Sequence, residues 1–477
     1  MSLDHLTRRE SLDGSTAQRL GIPAERVHTP SDPSYDVART PWNVAVDQRP
    51  AAVAFPRTAD EVAAVVRAAA DAGLRVAPQS TGHNAGPLAA QDLSDVVIVR
   101  TSELDLVLAD PDAQTIRVEG GAVWEPAVVA AAAQGRAVLH GSSPDVGVAG
   151  YALGGGIGWY ARQLGLATNS VTAVELVTAD GSTVRVDAKH EPDLFWALRG
   201  GGGSFGVVTA VEFAVHPIES SYAGMLVWDQ TQAETVLPRW LEWCQDAPES
   251  ATTSFRLLNL PPIPEIPEPF RGRSLVAIDG TVLEDDERGE ALLRGLRDLG
   301  PELDTFARTP CAALAHLHMD PEQPSPAVAD TALLAEMPAA GVDTLISTVG
   351  PGTGSMLLAA ELRQLGGAVA RPAEDAGARA TLEGAYMLFA VAIAPTPEIA
   401  EIGRAQAEGL VEALAPYSSG GPYLNFAERP VDVSTCFDAD TWARLCRVKA
   451  EVDPTGLFRA NHPVPAGTAD EKTPAAT

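Results

Sequence analysis

Three loops rich in glycine and short polar residues hold the strongest chemical signal in this 477-residue chain. The first is Pro78-Gln79-Ser80-Thr81-Gly82-His83-Asn84. The second runs from Gly141-Ser142-Ser143-Pro144-Asp145-Val146-Gly147-Val148-Ala149-Gly150 to Gly154-Gly155-Gly156-Ile157-Gly158. The third is Leu198-Arg199-Gly200-Gly201-Gly202-Gly203-Ser204-Phe205-Gly206. Glycine loses more conformational freedom on folding than any other residue, so this density implies positive φ or close approach of a ligand. Backbone N–H groups in such loops form anion concavities that accept a pyrophosphate without basic side chains. Residues 141–158 contain no Lys or Arg, which suits that reading. Tight turns or a linker would account for one loop. Three within about 130 residues, near expected strand ends, point to a phosphate-bearing ligand.

Two nucleotide-binding patterns compete and fail. Gly154-Gly155-Gly156-Ile157-Gly158-Trp159 puts Trp159 where the third glycine of GxGxxG belongs, and Glu175 about twenty residues on is a weak coincidence. GxxxxGK[ST] is absent. His316-Leu317-His318 on a strand would put both imidazoles on one face and could bind metal, but no third ligand accompanies them and no metal is expected.

These loops need elements to position them. Thr58-Ala59-Asp60-Glu61 is a capping box opening a helix that runs through Val65 and Val66 to a stop at Gly73. Strands are expected at 74–77, 96–99, 115–118 and 137–140, with a helix from Trp124 to Gln134 closed by Gly135. Ser170 to Asp187 reads as a hairpin turning at Ala179-Asp180-Gly181-Ser182. After Pro217 the pattern changes, with strands at 223–229, 254–260, 274–282 and 386–394 and helices at 231–245, 284–299 and 398–414. Pro261 to Phe270 is a loop with five prolines. Tyr386, Phe389 and Arg256 fall on expected strands, where they could line a pocket or belong to the core. The fold class is α+β: residues 1–217 form one domain, 218–420 a second with an antiparallel sheet flanked by helices, and 467–477 a disordered tail.

Composition narrows the function. Lys and Arg number 34 against 63 Asp and Glu, a formal charge of −29. Such a surface repels phosphate backbones, so neither nucleic acid nor an anionic membrane is an expected partner. The four cysteines, Cys244, Cys311, Cys436 and Cys446, lack CxxC spacing and read as reduced, buried thiols. Met1 to Glu10 has no export-signal pattern, and no apolar run reaches the length of a membrane span, so a cytoplasmic protein is expected.

The run Asp193-Leu194-Phe195-Trp196-Ala197-Leu198-Arg199-Gly200-Gly201-Gly202, followed by Ser204-Phe205-Gly206-Val207-Val208-Thr209, resembles the FAD-linked oxidases of the vanillyl-alcohol oxidase / p-cresol methylhydroxylase superfamily. The berberine-bridge-enzyme-like branch is the closer match. Tyr423-Leu424-Asn425-Phe426 resembles its Y-x-N segment, and Asp453-Pro454-Thr455-Gly456-Leu457-Phe458 with Asn461 its C-terminal signature. The resemblance implies a two-subdomain FAD-binding domain of the p-cresol methylhydroxylase type over 1–217, with residues 421–466 returning to it. It implies FAD bonded through its 8-methyl carbon to His83. The cofactor residues it implies are Ser80, Thr81, Gly82, Asn84, Gly86, Ser142, Ser143, Val146, Gly147, Gly150, Gly154, Gly155, Gly158, Gly206, Val208 and Asn461. Ser143 stands where many members carry a second, cysteinyl link, so a single link is expected. Val146 occupies the position that by resemblance governs oxygen access, and its small side chain suggests an oxidase.

Hydride transfer from a substrate carbon to the flavin N5 requires an acceptor for any accompanying O–H or N–H proton. Tyr423 is the candidate, as base or as a residue that orients substrate, with Asn425 supplying a hydrogen bond from the same strand. The tyrosine some members carry in the GGG-x-G turn is Ile157 here. The expected activity is oxidation of a small alcohol, amine or phenol, with O2 as acceptor and H2O2 as product. The alternatives are a dehydrogenase with another acceptor, a flavoprotein for cyclisation or rearrangement, and a ligand-binding protein. Substrate identity and oligomeric state stay open.

Overall fold

A computed structural model describes residues 20–467. The readings of Met1 to Glu10 and of the tail past 467 lie outside them. The fold is α+β, built on three sheets.

The first sheet orders Val27–His28, Ala52–Ala54, Val96–Arg100 and Arg75–Gln79. Its last three strands are parallel. The central one, Val96–Arg100, reads Val-Val-Ile-Val-Arg and is buried throughout, as a strand covered on both faces should be. One covering element is the helix Ala59–Asp71, whose Val62, Val65, Val66 and Ala69 are fully buried or nearly so. Its cap differs from a reciprocal box. Thr58 Oγ1 accepts the Glu61 N–H at 3.2 Å, but the Glu61 carboxylate accepts the Arg57 N–H and pairs with Arg26. The second sheet orders Val107–Asp110, Thr115–Glu119, Val207–Ala214, Val171–Val177 and Thr183–Asp187, all antiparallel, the last two being the expected hairpin.

The third sheet is antiparallel and eight-stranded, centred on Ser220–Asp229, Ser274–Val282, Ala251–Asn259, Ala359–Gln364, Tyr386–Ile393 and Ala327–Leu334. Alternation divides its faces. Phe255, Leu257, Leu362 and Leu388 pack beneath the helices Ala233–Asp246, Ala339–Val349 and Pro397–Leu414. The opposite face presents Ser254, Arg256, Asp279, Glu361, Arg363, Met387 and Phe389, with cross-strand pairs Glu361↔Phe389 and Arg363↔Met387.

The C-terminal segment is clamped onto the glycine loops. Lys449, on the helix Ala439–Val452, donates to the Ser204 carbonyl at 2.6 Å and to Asp453 at 2.5 Å. Asp453 accepts the Leu457 and Phe458 N–H groups, and the Leu457 carbonyl accepts the Val76 N–H at 2.9 Å.

Two local expectations are corrected, and a third reading, left conditional, does not apply. Ala137–His140 forms no strand, only an isolated bridge from Ala137 to His216. Tyr423 and Asn425 lie in turns rather than on a strand. His316 ends the 3₁₀ turn Cys311–His316 and His318 follows in a loop, so the two imidazoles share no strand face. The four cysteines are free and buried.

Candidate active site

The three glycine loops converge. Gly203 approaches Pro78, and the missing side chain of Gly147 leaves room for Ser80, whose Oγ would sit 2.7 Å from a Cβ there. Asn84 Nδ2 donates to the Leu424 carbonyl at 3.0 Å, and Asn461 Nδ2 to the Asn84 carbonyl at 3.4 Å. Asn425 Nδ2 donates to the Tyr151 carbonyl at 2.9 Å. First loop, second loop and C-terminal segment thus share one junction.

The glycines divide by what fills their missing side chains. A Cβ on Gly154 would lie 1.8 Å from Asn425 Oδ1, one on Gly158 1.9 Å from the His140 carbonyl oxygen, and one on Gly206 2.7 Å from the Val177 carbonyl oxygen. Gly155 faces the Tyr423 hydroxyl in the same way, and Gly86 the Glu428 carbonyl. These admit the protein's own atoms. A Cβ on Gly150 would meet nothing within 4 Å, and this residue is exposed. Gly82 is needed for its backbone, with φ of 82°.

His83 lies in the first turn between three contacts. Trp42 stacks on its ring at 4.1 Å between centroids and 18° between planes. The Thr81 hydroxyl lies 2.7 Å from Nδ1, and Asp145 Oδ1 3.6 Å from Nε2. The second loop is held by the Trp124 and Glu125 N–H groups, which donate to the carbonyls of Val146 and Pro144. Val146 is half-buried, and Val208 is buried on the strand Val207–Ala214.

Tyr423 is wholly buried, and its oxygen accepts the Gly156 N–H at 2.6 Å. Burial pushes the phenol's pKa above its ordinary value. The Gly156 N–H and the Arg379 and Arg363 guanidiniums act in the opposite sense without overcoming it. Phe426 and Phe389 stand edge to face at 5.0 Å, and the Arg363 guanidinium lies 5.1 Å from the Phe426 ring centroid. Tyr386 packs on the other side against Trp240 and belongs to the core.

Beyond these aromatics lies an ionic cluster whose assembly escaped sequence reasoning, although Arg256 and His318 were noted singly. Arg256 pairs with Asp279. Arg363 donates to Glu361 at 2.7 Å and to Ser142 Oγ at 3.2 Å, while Asp320 Oδ2 accepts the hydroxyls of Ser142 and Ser143. His318 sits between carboxylates, with Nδ1 2.7 Å from Asp320 and Nε2 3.2 Å from Glu361. Both nitrogens face acceptors, which calls for the imidazolium. Burial and Arg256 oppose that charge, but Asp320, Asp279 and Glu361 prevail and hold the pKa up at about 9. Burial opposes ionisation of Glu361 too, yet Arg363 and His318 hold its carboxyl down at about 2. Ser142, Trp159, Ser254, Glu361 and Arg363 line a cavity at this junction. Glu428, just past the Tyr423 turn, also went unnoticed. Asn43 meets it at 3.5 Å, and burial pushes its carboxyl up to about 8. The cluster assembles residues from five separate segments, so although Ser142, Ser143, Arg256 and His318 drew notice one by one, nothing in the sequence joined them.

The converging loops fit FAD. Gly150 opens on free space, and His83 Nε2, Asn84 Oδ1, Asp145 Oδ1, Tyr151 Oη and Thr209 Oγ1 are buried polar atoms with no partner within the protein. Comparison with known proteins agrees. The FAD binding domain family matches residues 50–187. The chain is similar to (R)-6-hydroxynicotine oxidase of Paenarthrobacter nicotinovorans, 29% identical over 94% of this chain and 98% of that protein. It is similar to glucooligosaccharide oxidase of Sarocladium strictum, 33% identical over 46% of this chain and 44% of that protein. Among solved structures, Physcomitrella patens BBE-like 1 superposes with a TM-score of 0.82 at 21% identity, covering 96% of this chain and all of that one. On its loops, its fold and these likenesses, the chain carries an FAD binding domain over residues 50–187 and is an FAD-linked oxidoreductase, and its fold is that of the berberine-bridge-enzyme-like structures.

Proposed function

We propose that this protein is an oxidase with FAD linked covalently to His83 alone, acting on a small amine that carries an aromatic or heteroaromatic ring. Bound FAD supplies the hydride acceptor and hands electrons to O2, giving H2O2. The turn Ser80–Asn84 with Gly86, the segment Ser142–Gly158, Gly206 with Val208, and Asn461 would hold it. Residues 1–217 with 421–466 serve as the cofactor domain in this reading, and 218–420 as the substrate domain.

The observation that carries the amine reading is the state of Tyr423. Its oxygen already accepts the Gly156 N–H, and burial outweighs that bond and holds the phenol in its protonated form. Alcohol oxidation needs an acceptor for the O–H proton. Hydride loss from the carbon beside a neutral amine nitrogen leaves an iminium and needs none. Tyr423 and Asn425 then act by positioning: Tyr423 holds the Gly156 turn and Asn425 ties Tyr151 to it. Phe389 and Phe426 supply an aromatic wall, and one likeness that spans nearly the whole chain is to an enzyme named for hydroxynicotine.

The test is anaerobic. Secondary and tertiary arylalkylamines, benzylic alcohols, phenols and oligosaccharides are each mixed with the holoenzyme and bleaching of the flavin is followed, then air is admitted and H2O2 measured. Bleaching by amines with stoichiometric H2O2 is expected. Bleaching by alcohols or oligosaccharides but not amines would overturn the amine reading, and bleaching without H2O2 would make the enzyme a dehydrogenase.

A further inference from the structure

His83 and Asp145 face each other with unspent atoms. His83 Nε2 lies 3.6 Å from Asp145 Oδ1, and neither buried atom has a hydrogen-bond partner. A pair built for stability would close to about 2.7–2.9 Å. The surroundings fix both groups. Trp42 stacks on the imidazole and donates its indole N–H to the other Asp145 oxygen at 2.5 Å, so one side chain orients both partners. The Trp42 N–H in turn donates to the Thr81 carbonyl at 2.9 Å. The Thr81 hydroxyl, 2.7 Å from Nδ1, can donate or accept; in the tautomer in which it donates, the imidazole proton sits on Nε2 and faces the carboxylate. Nδ1 is engaged, and Nε2 is the nitrogen free to react.

We infer that Asp145 is the base for attachment of the cofactor: it takes the Nε2 proton as Nε2 bonds to the flavin's 8-methyl carbon. The inference rests on the His83 linkage proposed above. The new N–C bond replaces the imidazole N–H bond and one C–H bond of the methyl group. Both hydrogens leave as protons, the one on Nε2 to Asp145. The electron pair of the broken C–H bond enters the isoalloxazine and passes to O2, which departs with two protons as H2O2. The product weighs the apoprotein plus FAD less two hydrogen atoms. Asp145 then returns its proton to solvent, to which its side chain is 20% exposed.

Apoprotein from riboflavin-limited cells is mixed with FAD in air, and samples taken over time are acid-precipitated and weighed by intact-mass spectrometry. Wild type is expected to gain FAD less two hydrogens. Asp145→Asn is expected to bind FAD equally well by fluorescence quenching yet to attach it about 100-fold more slowly, the scale of a lost general base. Trp42→Phe keeps the stack but frees the carboxylate, and is expected to fall between. Attachment by Asp145→Asn at the wild-type rate, or loss of its non-covalent binding as well, would overturn the role of Asp145. Wild type that binds FAD but releases all of it in acid would instead refute the His83 linkage.

Discussion

The Tyr423 hydroxyl oxygen accepts the Gly156 backbone N–H at 2.6 Å, across 267 residues of sequence. The bond joins the C-terminal turn to the middle of the second glycine loop, and it decides between two roles for the tyrosine. Tyr423→Phe leaves the buried Gly156 N–H unpaired, which costs about 1–3 kcal/mol of stability by urea unfolding. If Tyr423 only positions the loop, anaerobic flavin reduction slows by less than about 10²-fold. A proton acceptor would cost about 10²–10⁴-fold.

Gly150 and Gly158 should respond oppositely to alanine. At Gly158 the new methyl group would lie 1.9 Å from the His140 carbonyl oxygen, a backbone atom that cannot step aside. Gly158→Ala is expected to lower stability by at least about 1–3 kcal/mol. Gly150→Ala meets nothing within 4 Å, so the apoprotein should unfold within about 0.5 kcal/mol of wild type. Its FAD binding should weaken, measured by fluorescence quenching. Equal FAD affinity in Gly150→Ala would mean that the cofactor does not lie over this residue.

His318 makes stability depend on pH. Its imidazole has a pKa of about 9 in the folded protein against an ordinary 6.5, through Asp320, Asp279 and Glu361. Charging is therefore favoured in the folded state. The stabilisation is complete below about 6.5 and is lost as pH rises through about 9, on the order of 3 kcal/mol across that window. Urea unfolding at pH 6 and pH 9.5 should show this fall in wild type, added to the fall up to about pH 8 from Glu428, whose buried carboxyl is held up at about 8. His318→Gln should reduce the total by its own share. An unchanged slope in the variant would place the dependence elsewhere.

Much of the fold could be read from short-range pattern. Thr58 and Gly73 bracket one helix, and Ala179-Asp180-Gly181-Ser182 turns the hairpin. The strands Ala327–Leu334 and Ala359–Gln364 escaped because their alternation is hidden. Ala-Ala-Glu-Leu-Arg-Gln reads as helix former, and only pairing with Tyr386–Ile393 shows that Glu361 and Arg363 share a face. Ala137–His140 failed in the opposite way, an apolar run that finds no strand partner beyond one bridge to His216. In the site, the glycine loops were legible because glycine announces itself by type. Their reasons were not, since Gly154 and Gly158 make room for Asn425 and His140 while Gly150 faces open space. The Asp320–His318–Glu361 bridge depends on tertiary placement alone.

On the reading proposed above, Val146 bears on the choice of electron acceptor. Its half-buried side chain lies one residue from Asp145 and two from Ala122-bonded Val148. Val146→Leu adds bulk there and is expected to slow H2O2 formation while leaving anaerobic flavin reduction unchanged. Oxygen-electrode and stopped-flow measurements on the same preparation separate the two. Equal slowing of both steps would mean that the residue shapes substrate binding instead.

The most direct test of the account is to precipitate the purified holoenzyme in acid, ask where the flavin goes, and map the labelled peptide. Flavin retained on a peptide whose modified residue is His83 is the predicted result. Flavin released entirely to the supernatant, or carried by any other residue, would contradict it.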